Sequence, residues 1–331
     1  MTKYLVIGSG SIARRHIANL RSLFPTAEVA CVSASGRTVG AHETQATCLL
    51  PGVKEAIEWK PRFAVVASPA PFHLEHALAF LREGVPVLIE KPLADSVAQL
   101  ARHDAELSAY SGAIEVSYNL RYLSSATRMK ELVSAGIAGA IRSISIDLGQ
   151  YLPDWRPQDD YRKNVSAKRS LGGGVLLELS HELDYLTWLF GKFDRVYGLV
   201  SNSGALDIDV EDRADILFSR TDGLVAHVHL DFLQRKATRR CKVVGDQGNL
   251  VWDLIANTIH LETRAGIELL FDGTGYDRNQ MYLDQLLHFS AVASKDANPN
   301  VGLDSAAYTL KMIAAIRASA EQHAPISLQG M

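Results

Sequence analysis

The sequence predicts an α/β protein in two parts. A doubly wound parallel sheet over residues 1–118 is followed by an α+β part over 119–331 with a large, mostly antiparallel open sheet. Three observations carry this prediction. Short apolar runs alternate with amphipathic stretches as far as residue 118, as parallel strands crossed by helices require. Beyond residue 140 the strand candidates follow one another directly, several alternate in polarity, and Gly223, Gly248 and Gly266 fall at turns between them. A chain of 331 residues is also long for one hydrophobic core.

Tyr4–Ile7 is a short apolar run that reads as a buried parallel strand, and a helix carrying Ile12, Ile17, Leu20 and Leu23 follows it. Further strands are expected over Glu28–Val32, Phe63–Ala67, Val85–Ile89 and Ala113–Ser117, with helices from Phe72 to Glu83 and from Asp95 or Ser96. In the second part strands are expected over 141–148, 196–200, 213–218, 224–232, 240–244, 249–252, 258–262 and 267–271. One long helix is expected before most of them, from Gly174 to Phe190. Helices from Asn279 and Asp304 close the chain, and the last is expected to pack back on the first domain.

Between the first strand and first helix stands Gly8-x-Gly10-x-x-Ala13. Gly8 permits the tight turn, Gly10 lets a pyrophosphate approach the backbone, and the small Ala13 lets helix and strand pack closely. Ser11, Ile12 and Ala13 then offer helix N-terminal N–H groups to the anion. This is a dinucleotide-binding fingerprint in its proper context. The second strand bears on which dinucleotide fits. Between Glu28 and Glu43 there is no carboxylate to accept a ribose 2′-OH, whereas Ser33, Ser35 and Arg37 can hold a 2′-phosphate. NADP is the expected cofactor, with NAD as the alternative.

The net charge of −3 gives no sign of a nucleic-acid partner. No apolar run approaches a membrane span, and three scattered cysteines form neither a disulfide framework nor a metal-ligand spacing. A soluble, cytoplasmic, metal-free protein is expected.

Two further stretches carry chemistry. Glu90-Lys91-Pro92 follows a strand, at the edge where an open parallel sheet binds its ligands, and a lysine there can exchange a proton with a hydroxyl. Gly172-Gly-Gly174 leads into a helix, and the triple glycine is expected to let a ligand approach the backbone. On that helix Glu178, His181 and Asp184 are spaced three apart and would project from one side. His181 would carry a substrate proton while Asp184 or Glu178 fixes its tautomer. The long stretch from Gln150 to Gly172 adds Trp155, Arg156, Tyr161, Arg162, Lys168 and Arg169, suited to stacking on sugar faces and gripping an anion.

In the order Gly8-Ser-Gly10-Ser-Ile-Ala13, Ser68-Pro69 with His73, Glu90-Lys91-Pro92, and Gly172 to Asp184, the chain resembles the glucose–fructose oxidoreductase / inositol dehydrogenase / rhizopine-catabolism (Gfo/Idh/MocA) family. The resemblance covers essentially the whole chain. It implies a Rossmann domain, a substrate domain whose open sheet mediates homodimers or homotetramers, and hydride transfer between a nicotinamide and a sugar or cyclitol hydroxyl. It also implies that Ser68, Pro69, His73, Glu90 and Lys91 lie at the cofactor. Lys91 would be the proton-relay lysine, His181 the histidine at the reacting hydroxyl, and Arg121 a substrate-facing residue. One departure stands out. The family has its first acid four residues before the histidine, where this chain has Leu177, and Glu178 is only three before.

The reading is an NAD(P)-dependent oxidoreductase acting on a sugar, an anionic or nucleotide-linked one if the basic loop closes on the site. The phrasing of Gln150-Tyr-Leu-Pro-Asp-Trp155-Arg-Pro and Leu-Ser-His181-Glu-Leu-Asp resembles family members associated with bacterial surface-glycan or nonulosonic-acid pathways. Two alternatives stay open: an enzyme whose nicotinamide cycles in place, and a non-catalytic dinucleotide-sensing regulator.

Overall fold

A computed structural model describes residues 1–34 and 44–330. Two sheets organise the chain, each in its own compact unit. The first unit comprises Met1–Asn119 with Arg278–Leu310, and the second Leu120–Asp277 with Lys311–Met331.

Among the described residues the first unit holds six parallel strands: β1 (Lys3–Ile7), β2 (Glu28–Val32), β3 (Cys48–Leu50), β4 (Phe63–Val66), β5 (Val87–Glu90) and β6 (Ile114–Ser117). Their order is β3-β2-β1-β4-β5-β6, so the sheet changes direction between β1 and β4. That switch opens a crevice beyond the strands' carboxyl ends. Every residue of β4 and β5 is buried, as their unbroken apolar runs predict. Helices α1 (Ser11–Leu23), α2 (Val53–Glu58), α3 (His73–Leu81) and α4 (Val97–Ser108) make the connections. Helix α1 buries Ala13, Ile17 and Leu20 against Tyr4, Val6 and Phe63.

The second unit contains nine strands: β7 (Ile141–Gly149), β8 (Arg195–Ser201), β9 (Arg213–Ser219), β10 (Val225–Asp231), β11 (Thr238–Gly245), β12 (Asn249–Asp253), β13 (Thr258–Thr263), β14 (Gly266–Asp272) and β15 (Ile326–Ser327). They run β14-β13-β12-β11-β7-β10-β9-β8-β15, with only β7 and β10 parallel neighbours. Alternate residues, such as Ile144, Ile146, Ile216, Val228, Val243 and Trp252, are buried on one face. Helices α5 (Ser124–Ser134), α6 (Val175–Glu178) and α7 (His181–Phe190) belong to this unit, and Ser125 of α5 accepts the Trp252 indole N–H at 2.9 Å.

One expectation is corrected. The helix expected over Gly174–Phe190 is two helices, α6 and α7, broken at Leu179-Ser180, where the Ser180 hydroxyl donates to the Leu177 carbonyl at 2.9 Å. A serine bonding its own backbone competes with helix continuation. Helix α8 (Gln280–Ala293) lies in the first unit, burying Leu286, Phe289 and Val292 among the residues of β1, β4 and α1. The last helix, α9 (Leu303–Gln322), crosses the boundary between units at Leu310.

Candidate functional site

In the first unit the candidate residues gather at the carboxyl ends of β1, β4 and β5. Gly8 follows β1 with φ +124°, and a Cβ there would lie 2.4 Å from the Ala67 carbonyl oxygen. Glycine is therefore demanded by the close approach of the chain to itself. Gly10 differs: a Cβ there would meet nothing within 4 Å. It is the N-cap of α1, no side chain caps that helix end, and no acidic residue stands in the first turn. An uncapped, carboxylate-free helix N-terminus with open space in front of Gly10 fits a dinucleotide's pyrophosphate, and Gly10, Ser11, Ile12 and Ala13 are the residues that could hold it. Ser33 stands just beyond β2, whereas Ser35 and Arg37 lie outside the described residues.

Beyond β4, Ser68 is buried, and its carbonyl oxygen lies 2.7 Å from His73 Nε2 while Nδ1 of the same ring lies 2.8 Å from the Pro92 carbonyl oxygen. Pro69 caps the short turn that leads into α3. Glu90 ends β5, and the Lys91–Pro92 peptide bond is cis. The Glu90 carboxylate is buried, and its Oε1 lies 2.7 Å from His16 Nε2 while its Oε2 accepts the Lys91 backbone N–H at 3.2 Å. Burial pushes the Glu90 carboxyl up, but the His16 hydrogen bond and charge, together with Lys91, outweigh it and leave the pKa below its ordinary value. His16 escaped the sequence reading. Its signal was a polar residue on the face of α1 that carries Ala13, Ile17 and Leu20.

In the second unit the structure joins Arg121 to Asp184. Nε donates to Oδ2 at 2.9 Å and Nη2 to Oδ1 at 2.6 Å, with both side chains buried. Burial raises the Asp184 carboxyl, against the pull of the guanidinium. Both Asp184 oxygens thus accept from Arg121. Glu178 ends α6 and accepts from the Ser166 hydroxyl at 2.9 Å, and His181 opens α7 and is half-buried. Because of the break at Leu179-Ser180, these three residues do not share one continuous helix.

The triple glycine has another cause than the one expected. A Cβ on Gly173 would lie 2.3 Å from the Val165 carbonyl oxygen, and one on Gly174 would lie 2.6 Å from the Glu211 carboxyl group. Gly173 and Gly174 also donate to the Lys168 and Ser166 carbonyls at 2.9 and 3.1 Å. The space that was expected to admit a ligand admits the chain's own 165–168 turn. In the 150–172 stretch, Trp155 packs edge-on against Phe232, Tyr161 donates to the Leu206 carbonyl, and Arg162 pairs with Asp160. Arg156 is exposed.

Among the described residues no group of three or more His, Cys, Asp or Glu side chains is placed to hold a metal ion, and no helix is long and apolar enough to cross a membrane.

Residues 2–118 match the family model described as "Oxidoreductase family, NAD-binding Rossmann fold", and residues 126–251 match the GFO/IDH/MocA C-terminal domain. Inositol 2-dehydrogenase of Streptomyces avermitilis is 28% identical over 202 residues, which is 56% of this chain and 52% of that protein. Glucose-6-phosphate 3-dehydrogenase of Bacillus subtilis is 24% identical over 249 residues, 75% of this chain and 70% of that protein. The chain spans about half the length of the curated Streptomyces and Klebsiella inositol 2-dehydrogenases it matches. Among solved structures, levoglucosan dehydrogenase in complex with NADH and levoglucosan has the same fold, with a TM-score of 0.85 at 17% identity over 100% of both chains.

Proposed function

The chain belongs to the Gfo/Idh/MocA oxidoreductase family, and we propose that it transfers a hydride between a nicotinamide dinucleotide and a hydroxyl carbon of a sugar or sugar derivative. One observation supports this most. In a single unit, the open helix N-terminus at Gly10 and the lysine after Glu90 share the carboxyl edge of the same parallel sheet. When bound, the nicotinamide supplies the hydride-exchanging carbon. The chain's own residues bind, orient and handle protons. The first turn of α1 receives the pyrophosphate. Lys91 Nζ, at the carboxyl edge of the parallel sheet, passes the proton of the reacting hydroxyl. Asp184 acts through Arg121, holding it in place as part of the substrate-side wall. Relatives named for inositol and for glucose 6-phosphate support a polyol or sugar substrate. Exposed Arg156 and Arg169, with half-buried Lys168, favour an anionic one.

NADP is the preferred dinucleotide in this reading, because Ser33, Ser35 and Arg37 stand where an NAD site would need a carboxylate. Two or four copies assemble through the nine-stranded sheet, whose open face exposes Leu199, Leu217 and Val225. Fluorescence titration with NADPH and NADH tests the cofactor reading. Arg37→Ala weakens NADPH by about 1–3 kcal/mol, the scale of charge-assisted hydrogen bonding, and leaves NADH nearly untouched. Equal losses for both dinucleotides would overturn the preference.

A further inference from the structure

We propose that His16 and His73 are positioning residues that brace Lys91 from its two sides. The proposal rests on the reading of Lys91 as the proton-handling lysine.

Lys91 itself is only half-buried, but its neighbours are fixed in the interior. On the N-terminal side, Glu90 is held by His16, which is fully buried on the helix that follows the glycine turn. The other oxygen of the same carboxylate takes the Lys91 N–H. On the C-terminal side, His73 is 1% exposed and lies with one ring nitrogen against Pro92 and the other against Ser68. A neutral ring can donate to one of these carbonyls, and a protonated ring to both. Burial lowers the His73 pKa, while the two carbonyls and the Glu90 charge favour the protonated ring. The brace therefore ties three segments to the lysine: the helix beyond the glycine turn, the end of β4, and the chain after β5.

Packing alone does not account for these residues. Apolar side chains of similar volume fill a core more cheaply than two imidazoles and a carboxylate. A buried hydrogen-bonded network instead fixes one arrangement of the groups it joins, here through His16 Nε2 while Nδ1 of that ring has no hydrogen-bond partner among the described residues. Here those groups are residues 90 and 92, which set where the lysine side chain departs from the sheet. Neither histidine needs to touch substrate for this role.

The test is hydrogen exchange read by mass spectrometry on peptides covering residues 90–95, in wild type, His16→Leu, His73→Leu and the donor-retaining His16→Gln. Each leucine variant should speed exchange in these peptides about tenfold, the scale of one net hydrogen bond, with β1 and β2 protected as before. His16→Gln should recover part of the protection. In parallel, kcat of His16→Leu should fall while its NADPH dissociation constant stays within about twofold. Unchanged exchange over 90–95, or equal acceleration across the whole first unit, would overturn the brace. If a leucine variant does not fold, Glu90→Gln, which keeps the side chain's size, reads the same peptides. If the wild type binds neither NADPH nor NADH, the hydride-transfer reading fails, and the exchange pattern still decides the brace.

Discussion

Gly8 and Gly10 stand two residues apart in one motif and are glycine for different reasons. Gly8 is fixed by the protein: positive φ and the Ala67 carbonyl leave no room for a side chain. Gly10 has open space before it, so its small size serves whatever approaches. Gly8→Ala should therefore destabilise the first unit by about 1–3 kcal/mol, the cost of a strained backbone conformation. Gly10→Val should unfold at nearly the wild-type temperature, within about 0.5 kcal/mol, yet bind no dinucleotide. Thermal unfolding with an NADPH titration on each variant separates the two; a stable Gly10→Val that still binds would contradict the assignment. The sequence alone could not distinguish these glycines, because the contact that demands Gly8 comes from Ala67, 59 positions away by the numbering. Nor does the sequence state what surrounds Gly173 and Gly174, whose neighbours are the 165–168 turn and Glu211.

At the scale of elements, what was legible was periodicity. Buried parallel strands announced themselves as unbroken apolar runs, and the strands of the larger sheet by alternation, as in β10 with Ala226, Val228 and Leu230 buried. Elements with a weak pattern were missed: β3 has three half-exposed or exposed residues, and β15 only two residues. Helix α5 also went unread, although it buries Ser125, Ala126, Met129 and Leu132. Pairings between elements were not legible either. Arg121 meets Asp184 of α7 across 63 residues of sequence. Arg121→Ala should cost about 3–5 kcal/mol by leaving a buried carboxylate without its partner, and replacing both residues with Met and Leu should recover most of it. Chemical denaturation of the single and double variants checks this. Across β9 and β10, His229 lies 2.9 Å from Asp231 and 2.7 Å from Asp215. The Asp231 hydrogen bond, with Asp215 adding to it against burial, raises its pKa to about 9. A raised histidine stabilises the fold fully below its unfolded value of about 6.5. That contribution is lost as pH rises toward about 9. Wild type should lose its stability advantage over His229→Gln across this window, and parallel melting curves for the two would disprove the role.

Over the whole molecule, the first unit is assembled from distant stretches of chain, Met1–Asn119 and Arg278–Leu310. The sequence suggested two domains and a return of the last helix to the first, but not the return of α8, since the apolar face of α8 does not state which sheet it will cover. The candidate site was legible where a motif carries its own local structure, as at Gly8 to Ala13 and Glu90 to Pro92. It was less so where one residue acts through another, as His16 does through Glu90. The central claim is that the chain exchanges a hydride with a sugar hydroxyl, with Lys91 handling the proton. Its most direct test is the nicotinamide absorbance of wild type and Lys91→Met, followed with NADPH or NADP against a panel of anionic and nucleotide-linked sugars. The account predicts an absorbance change with one class of sugar, slowed by at least about a hundredfold in Lys91→Met, with dinucleotide binding retained. Dinucleotide binding without an absorbance change on any sugar, or wild-type turnover by Lys91→Met, would contradict it.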